Sequence, residues 1–487
     1  MARLLGIDVG TSGVKVVLVD ELGVVVAQAS SGYSLSSPRP LWSEQDPEDW
    51  WAAVQRCLES IGECPDAIGL TGQMHGAVFL DASDQPIRPA ILWNDQRTEA
   101  ECAFMDQAIG ADRLRRITCN APTTGFQAPK ILWLRTNEPD AFRAVRSVLL
   151  PKDFIRLRLS GAHATDVSDA AGVGLLDVPR RTWATRIIAE LGLDPSLFPQ
   201  VFESAEVASS AKEGLPPVKA GTPIVAGAGD QAAGAVGVGA VREGVLSLSL
   251  GTSGVAFRTL TDPPSGAIET INTFCHANGG WHSMGVMLSC GGAIRWARDT
   301  LFPELSFDQM SELASTAPPG CDGLAFAPYL SGERCPHDDP NARGAFVGLT
   351  LRHSRAHLAR AVFEGATFGL LGVMRRLFPQ GMGRHDIRVT GGGARSAFWM
   401  QMVADVFESD CATVAADEGP AYGAAILAGV GIGCWPDVLA ASNTVVKLCG
   451  GFRPGRVNYA AAVELYERVY PAIRDARMSG RLEPISQ

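Results

Sequence analysis

The sequence predicts an α/β protein built from two related halves that face each other across a cleft. The pentapeptide Gly10–Val14 recurs unchanged as Gly251–Val255, and at both places one β-rich run precedes the turn and another follows it. Two further β-rich runs lead through glycines into helical patterns, and strands that alternate with helices are typical of α/β layers. The chain has 487 residues and is 46% hydrophobic, which is enough material for sizeable cores.

The elements follow from local patterns in order. Residues 4–9, 14–20 and 24–30 predict a three-stranded meander, and residues 244–258 predict a second hairpin of the same kind. Strands at 223–226 and 387–390 precede glycine-rich turns and helices. The later helix carries one apolar face at a period of 3.6 residues, formed by Phe398, Trp399, Met402, Val403, Val406 and Phe407. The apolar stretch 419–436 contains five glycines, which favours a tightly packed helix over a membrane span.

The boundary between the halves is expected near Arg242–Val245, which gives one domain over residues 1–243 and a second over 244–487. Segments 37–65 and 96–220 are expected to decorate the first domain. The net charge of −10 argues against nucleic-acid and anionic-membrane partners. Eleven cysteines without a C-x-x-C pair, and an N-terminus without the apolar core of a signal peptide, predict a cytoplasmic protein with free thiols.

The two Gly-Thr-Ser-Gly hairpins are candidate phosphate sites. Glycines leave backbone N–H groups uncovered, successive N–H groups form an anion-binding nest, and hydroxyls add donors. The candidate nucleotide-binding residues here are Gly10, Thr11, Ser12, Lys15, Gly251, Thr252 and Ser253. Asp8 precedes the first hairpin where the second has Ser249, and such a carboxylate suits Mg²⁺, which proteins hold through one or two carboxylates and substrate phosphates. The alternative is a pair of ordinary turns and a solvated aspartate.

Asp230 lies at a strand-to-helix junction, where a carboxylate can cap the helix or act as a general base toward a substrate hydroxyl. The spacing Gly227-x-Gly229-x-x-Ala232 fits a loose dinucleotide fingerprint. The acidic residue that this fingerprint requires at the end of the next strand is missing, which argues against a nicotinamide enzyme. The sequence also lacks a Walker A motif, which excludes a P-loop enzyme.

Glycines that follow strands could let an adenosine ring lie against the backbone, with tight strand–helix packing as the alternative. The candidates are Gly291, Gly292, Gly392, Gly393 and Ala394. Two polar clusters in the first half could bind a sugar, since polyol recognition needs donors and acceptors beside an apolar platform. They comprise Gln73, Met74 and His75, and Trp93, Asn94, Asp95 and Arg97. A lone histidine such as His75 can equally be a satisfied structural residue.

These motifs together resemble a known family. The hairpins and the Gly-Gly-Gly-Ala turn look like nucleotide-binding elements of the actin/hexokinase/Hsp70 superfamily. Within it, residues 344–349 followed by 357–364, and residues 130–137, are similar to the two signatures of the FGGY carbohydrate kinases. The resemblance runs from about residue 4 to about residue 470. Four runs look most like the branch of the family that acts on D-xylulose: 72–76, 92–97, 329–336 and 391–405.

The resemblance implies two actin-like, ribonuclease H-like domains around a deep cleft, and ATP-dependent phosphorylation of D-xylulose to D-xylulose 5-phosphate. It implies that Met74 and His75 contact the sugar, that Asp230 is the catalytic base and that Asp8 serves the Mg²⁺·ATP site. Gln231 follows the base and joins the candidate sugar contacts. The resemblance also implies a homodimer. The open alternatives are a sister kinase for ribulose, glycerol or gluconate, and a non-sugar ATPase on the same fold.

Overall fold

The computed structural model describes residues 1–415 and 419–478. The strands of the first half are β1 (Arg3–Val9), β2 (Gly13–Asp20), β3 (Val25–Gly32), β4 (Glu44–Gln45), β5 (Ala67–Gly72), β6 (Val78–Leu80), β7 (Ala90–Ile91), β8 (Ser147–Leu149), β9 (Ala164–Asp166), β10 (Leu176–Asp177), β11 (Thr182–Trp183), β12 (Gln200–Phe202), β13 (Val207–Ser210), β14 (Pro223–Val225) and β15 (Ala228–Gly229). Its helices are α1 (Pro47–Ile61), α2 (Glu99–Ile109), α3 (Ala111–Thr118), α4 (Gln127–Asn137), α5 (Pro139–Ala144), α6 (Pro151–Ser160), α7 (Val167–Ala171), α8 (Thr185–Glu190) and α9 (Asp230–Val238).

The strands of the second half are β16 (Val245–Leu250), β17 (Gly254–Leu260), β18 (Asn272–Cys275), β19 (Trp281–Met287), β20 (Ala325–Ala327), β21 (Ala345–Val347), β22 (Asp386–Thr390), β23 (Asp410–Val414) and β24 (Leu448–Phe452). Its helices are α10 (Gly291–Leu301), α11 (Phe307–Ser315), α12 (Arg355–Leu377), α13 (Ala397–Phe407), α14 (Pro420–Gly431), α15 (Val438–Val445) and α16 (Ala460–Met478). Short 3₁₀ helices lie at Pro195–Leu197, Cys321–Gly323 and Gly392–Arg395.

Two seven-stranded mixed sheets repeat one arrangement of strands. In the first sheet β1 pairs antiparallel with β2, β2 pairs antiparallel with β3, and β1 runs parallel to β5. In the second sheet β16, β17 and β19 form the antiparallel meander, and β16 runs parallel to β22. The full orders are β13-β14-β5-β1-β2-β3, with β15 beside β5, and β18-β19-β17-β16-β22-β23-β24. The predicted fold class of two related α/β domains is confirmed.

The predicted hairpins, strands and helices are confirmed with shifts of one or two residues at their ends, except that the helix predicted in residues 419–436 ends at Gly431. Segments 37–65 and 96–220 carry α1 to α8 and most of the short strands. Local sequence explains where these helices begin and end. Asp46 caps α1 by accepting the backbone N–H of Glu48, Pro47 opens the helix, and Gly62 closes it at a φ of +67° that favours glycine.

Helix α14 belongs to the second half of the sequence but packs on the first sheet, against β1, β5 and α9. Glycines make this approach close. A Cβ atom at Gly6 or Gly69 would lie 1.8 or 1.9 Å from a backbone oxygen of α14, and one at Gly423 would lie 1.8 Å from a backbone oxygen of α9. The predicted buried helix in residues 419–436 is therefore confirmed. The domain division at residue 243 stays a prediction. Helix α14 lies after this position in the sequence but packs on the first sheet.

None of the helices within the described ranges has the length and apolar character that a bilayer crossing requires. The hydrophobic cores lie on both faces of each sheet, and one of them joins α9 and α14 to the first sheet. Asp230, which directly follows β15, lines one cavity together with Ser249 of β16 and with the turn after β22.

Candidate active site

The centre of the site is the edge of the first sheet where three parallel strands end. Asp8 in β1 lies opposite Thr71 in β5, and Thr71 in turn lies opposite Ala228 in β15. Asp230 follows β15 directly and is the first residue of α9, whose N-cap is Gly229. The fold therefore brings together two carboxylates that are 222 positions apart in the sequence.

Asp8 is half-buried, and its Oδ1 atom is buried without a hydrogen-bond partner among the described residues. The pKa of Asp8 is raised to about 7, mainly by burial and also by the negative charge of Asp230, while the positive charge of Lys15 opposes both. Lys15 lies directly opposite Asp8 in the β1–β2 pair, so the two side chains share one face of the sheet. The structure thus brings together the predicted Asp8 and Lys15.

Asp230 is also half-buried, and burial raises its pKa to about 6. Hydrogen bonds from the side chain and the backbone of Gln231 oppose this rise, and the side-chain amide of Gln231 lies 3.4 Å from Oδ1. Both residues line a cavity of about 370 Å³ between the two sheets. A carboxylate with this pKa is mostly ionised at neutral pH and can accept a proton from a hydroxyl group.

The first hairpin is tied to the predicted sugar residues through one hydroxyl group. Thr11 Oγ1 donates to Gln73 Oε1 at 3.3 Å and accepts from Trp93 Nε1 at 2.9 Å. The side-chain amide of Gln45 donates to the Thr11 carbonyl at 2.8 Å, and that of Gln73 donates to Gln45 Oε1 at 3.1 Å. Gln73 is therefore a buried member of a polar network behind the hairpin.

His75 has a left-handed backbone with a φ of +69°, which is rare for a side chain of this size. Its Nδ1 donates to the Gly172 carbonyl at 2.7 Å, and Lys130 Nζ donates to the His75 carbonyl at 2.9 Å. Burial lowers the pKa of His75 to about 3, so the ring is neutral and its proton lies on Nδ1. A Cβ atom at Gly172 would lie 2.6 Å from His75 Nδ1.

Met74 is buried next to His75, and a Cβ atom at Gly229 would lie 2.9 Å from its side chain. The His75 ring lies 4.9 Å from Phe126 and 6.0 Å from Phe274, measured between ring centroids. Phe274 comes from β18 in the second half, so both halves of the chain surround His75. The predicted Met74 and His75 are brought together beside Asp230.

The four residues of the run 93–97 that are predicted to bind sugar separate into two pairs. Trp93 is 44% exposed and Asn94 is exposed as well. Asp95 is fully buried and binds Arg97 at 2.6 Å. Arg97 also binds Glu44 at 2.8 Å and lies 3.5 Å over the ring of Trp42, with only 1% of its side chain exposed. Asp95 and Arg97 thus lie behind the cleft wall, while Trp93 and Asn94 face solvent.

The second hairpin is held by the start of α10. The amides of Gly291 and Gly292 donate to the carbonyls of Gly251 and Thr252 at 2.8 and 2.9 Å. A Cβ atom at Gly291 would lie 2.5 Å from the Gly251 oxygen, so close packing by itself accounts for this glycine. In this conformation the two amides are engaged within the protein, and the role predicted for Gly291 and Gly292 in adenosine binding stays a prediction.

The turn after β22 is less closely packed than the start of α10. Gly391 has a φ of +84° and Gly393 packs against the ring of Trp399, but a Cβ atom at Gly392 would meet nothing within 4 Å. Gly392 lines the cavity between the sheets, while Ala394 packs against the core of the second half. The lining is completed by Gly234, Ala235, Val238, Ser247, Ser249, Val255, Phe257, Thr390, Gly391, Arg395, Gly419 and Pro420.

Sequence reasoning missed several residues of this cavity and of the surroundings of His75. Ser247 and Ser249 were signalled by the alternation in β16, because every second residue of that strand faces the cavity. Arg395 was signalled by its place directly after the predicted glycine-rich turn. Phe126 and Phe274 carry no local signal, because they meet His75 only through the tertiary fold.

The residues present fit a divalent cation that is held mostly by its substrate. Within the described ranges, no group of three or more His, Cys, Asp or Glu side chains is placed to hold a metal by itself. The unpartnered Oδ1 of Asp8 is the oxygen ligand that a divalent cation would bind here. Mg²⁺ typically binds one or two carboxylates together with substrate phosphates, which is the arrangement that Asp8 beside the hairpins can supply.

Comparison with known proteins gives a consistent result. Profiles of the N-terminal and C-terminal domains of the FGGY family of carbohydrate kinases match residues 3–237 and 246–432. The xylulose kinase of Escherichia coli K12 is 44% identical over 437 residues, which cover 87% of this chain and 89% of that protein.

Solved structures agree in fold over almost the whole chain. A "xyloylose kinase" from Brucella ovis is 36% identical, with a TM-score of 0.90 over 97% of this chain and 99% of that one. A ligand-bound xylulose kinase from Lactobacillus acidophilus is 28% identical, with a TM-score of 0.89 over 99% of both chains.

Proposed function

This chain belongs to the FGGY family of carbohydrate kinases, and we propose that it transfers the γ-phosphoryl group of ATP to D-xylulose, giving D-xylulose 5-phosphate. The observation that carries the proposal is the meeting of Asp8 and Asp230 at one sheet edge, between the sugar cluster and the cavity that reaches Gly392. The choice of D-xylulose is supported by relatives named xylulose kinase at 33–44% identity over most of the chain.

Asp230 is proposed as the general base. It accepts the proton of the attacking sugar hydroxyl while that oxygen binds the γ-phosphorus and the bond from phosphorus to the ADP oxygen breaks. Such a base contributes about 10²–10⁴-fold to the rate. The pKa of about 6 leaves Asp230 mostly ionised at neutral pH. It is also closer to the operating pH than the pKa of a solvated aspartate, which makes Asp230 a better proton acceptor. The proton can leave late in a loose phosphoryl-transfer transition state.

Asp8 is proposed to hold Mg²⁺ together with the phosphates of ATP, with Lys15 beside it. When bound, the ion would neutralise charge on the transferring phosphoryl group. The two hairpins are proposed to bind phosphate, the first through the backbone of residues 10–12 and the second through the backbone and hydroxyls of residues 251–253. Gly392 has open space where its Cβ would be, so we propose it as the backbone against which the adenosine lies.

Met74 and His75 are proposed as sugar contacts. The Nδ1–H of His75 is bound to Gly172, so its Nε2 is left as an acceptor for a sugar hydroxyl. Trp93 offers an exposed aromatic platform beside the exposed Asn94, and Gln231 is proposed as a polar sugar contact beside Asp230. For Asp95, Arg97 and Gln73, burial favours a supporting role through the network behind Thr11 and Trp93. Closure of the two domains would exclude water, which otherwise competes for the phosphoryl group.

The test is ADP release with Mg²⁺ and ATP over D-xylulose, D-ribulose, L-ribulose, L-xylulose, L-fuculose, glycerol and gluconate, with a control lacking sugar. We expect strong stimulation by D-xylulose, and a fall of about 10²–10⁴-fold in Asp230→Asn with ATP binding retained. Faster turnover of another polyol would overturn the assignment of D-xylulose as the substrate but leave the assignment as a sugar kinase intact. ADP release indifferent to every sugar would contradict the proposal. A homodimer and a cytoplasmic location stay predictions from the sequence.

A further inference from the structure

A fully buried ion cluster lies behind Asp230. Lys152, in the first turn of α6, binds Asp153 at 2.6 Å and Asp166 at 3.0 Å, and its Nζ lies 3.6 Å from Asp169. All four side chains have no exposed surface. Replacing buried ion pairs of this kind by apolar residues is often neutral or stabilising, so the need for stability alone does not account for the cluster.

The cluster is connected to the junction that carries Asp230. Asp166 Oδ2 accepts hydrogen bonds from two hydroxyl groups, that of Ser168 at 2.6 Å and that of Ser204 at 2.9 Å. Because the Ser168 proton is directed at the carboxylate, its Oγ lone pairs are free to accept, and the backbone N–H of Gly229 donates to Oγ at 3.1 Å. Gly229 is the N-cap of α9 and the residue directly before Asp230.

A second set of contacts holds the same stretch of backbone a few residues before Gly229. Arg156, fully buried in α6, donates from Nη2 to the carbonyls of Val225 and Ala226 at 2.8 and 2.6 Å. The backbone from 225 to 229 is therefore bonded at both ends to side chains of the cluster or of its neighbours. Hydrogen bonds to ions in a low-dielectric interior are stronger than in water, which makes this a rigid support.

The short helix α7, which carries Ser168, also reaches the sugar cluster. Its N-cap is Asp166, and it ends at Gly172, whose carbonyl accepts the Nδ1–H of His75 at 2.7 Å. One five-residue helix thus contacts both the junction before Asp230 and the ring of His75. A shift of this helix would move the candidate base and the candidate sugar contact together.

We infer that Ser168 is a positioning residue for phosphoryl transfer, which links the Lys152–Asp166 ion pair to the Gly229 amide and so fixes where Asp230 meets the sugar hydroxyl. The inference rests on the role proposed above for Asp230. Ser168 does not itself contact the reacting atoms. Since a misplacement of about 1 Å can cost about 10²-fold in rate, loss of this link is expected to act on kcat.

The chain offers a matched control. Ser168→Ala and Ser204→Ala each remove one hydroxyl donor from the same Asp166 oxygen, but only Ser168 also accepts from Gly229. We expect Ser168→Ala to lower kcat about tenfold or more with the KM for ATP little changed, while Ser204→Ala stays within about twofold of the parent kcat. Ser168→Ala loses two hydrogen bonds and Ser204→Ala loses one, so the melting temperature should fall more in Ser168→Ala, and kcat is compared at a temperature where both variants are folded.

Ser168→Cys is measured in parallel, because it keeps the volume and a weak donor and acceptor. It should give an intermediate kcat, and it carries the comparison if the alanine variant does not fold. Equal kcat losses in Ser168→Ala and Ser204→Ala, or a kcat in Ser168→Ala and Ser168→Cys equal to the parent, would overturn the inference. Near-normal turnover in Asp230→Asn would overturn the base assignment and the inference with it, and this outcome is distinct from the first two.

Discussion

The two hairpins share the pentapeptide Gly-Thr-Ser-Gly-Val but close in different registers. In the first, Val9 lies opposite Val14 and Asp8 opposite Lys15. In the second, Leu250 lies opposite Gly254 and Ser249 opposite Val255, a shift of one residue. Because side chains alternate along a strand, such a shift exchanges the residues on each face. The first hairpin presents Asp8 and Lys15 together; in the second, serine and alanine replace them in the sequence, and the shift places Val255 instead of Ala256 opposite Ser249.

The surroundings of the hairpins differ as well. The Thr11 hydroxyl of the first hairpin is bound by Gln73 and Trp93, both from the sugar side of the cleft. The carbonyls of the second hairpin are bound by the backbone amides of Cys290, Gly291 and Gly292. An identical turn sequence therefore does not fix the register of its hairpin. The residue before the turn and the elements packed on it set the chemistry.

The largest effect is expected from removal of the carboxylate that only the first hairpin has. Asp8→Asn should lower turnover by about 10²–10³-fold, because the carboxylate that would hold the cation opposite the phosphates is lost. Ser249→Ala, at the equivalent position before the second hairpin, should cost a few-fold at most. The measurement is ADP release with D-xylulose and Mg²⁺·ATP for both variants. Similar losses in the two variants would contradict a special role for Asp8.

Asp8→Asn, which should lower activity, should raise the stability of the folded protein. The pKa of Asp8 is raised to about 7, so the folded state binds more protons than the unfolded state between about pH 4 and 7. Wild-type stability should therefore fall as pH rises through this window, and the ionised Asp8 should be a cost at pH 8. Without ligands, Asp8→Asn should raise the melting temperature at pH 8 by about 2–4 °C, the size of roughly 1 kcal/mol in a domain of 150–250 residues.

The gain from Asp8→Asn should shrink toward pH 5, where wild-type Asp8 is already protonated. Ser249→Ala serves as the control, since it changes no titrating group and its effect should be independent of pH. A gain in Asp8→Asn that stays constant from pH 5 to pH 8 would show that burial does not hold the Asp8 carboxyl in its neutral form.

Much of the fold could be predicted because its signals are local. Period-two runs, glycine turns and the period-3.6 face of α13 mark their elements within windows of ten to twenty residues. The repeat of the hairpin indicated two related halves, and the sheet orders confirm it. The one-residue difference in register could not be predicted. The pentapeptides are identical, so the difference comes from outside them, from the flanking strand residues and from what packs on each hairpin.

The candidate site was predictable where chemistry follows a strand end, as at Asp8, His75 and Asp230. It was less predictable where a polar residue has a competing partner. Asp95 and Arg97 looked suited to a sugar from sequence, but in the fold they bind each other and lie buried. The buried Lys152 and Asp166 were not singled out, because their proximity depends on how α6 packs against β9.

The smallest expected effect separates the two threonines of the repeat. Thr11→Val keeps the shape of the side chain but removes the hydroxyl that joins Gln73 and Trp93. A neutral hydrogen bond is worth about 1 kcal/mol, so the KM for D-xylulose should rise about fivefold with the KM for ATP little changed. Thr252 has no side-chain hydrogen bond to any residue of the described chain, which leaves its hydroxyl free for a phosphate oxygen.

Thr252→Val should therefore raise the KM for ATP by a similar factor and spare the KM for the sugar, because its hairpin is bound by α10 and not by the sugar cluster. Steady-state kinetics with each substrate varied in turn would measure the four values. If the two variants instead raised the same KM, the hairpins would act as one phosphate clamp of equivalent halves. The hydrogen bonds of Thr11 would then serve only to hold the first hairpin in place, and the asymmetry of the site would rest on Asp8 alone.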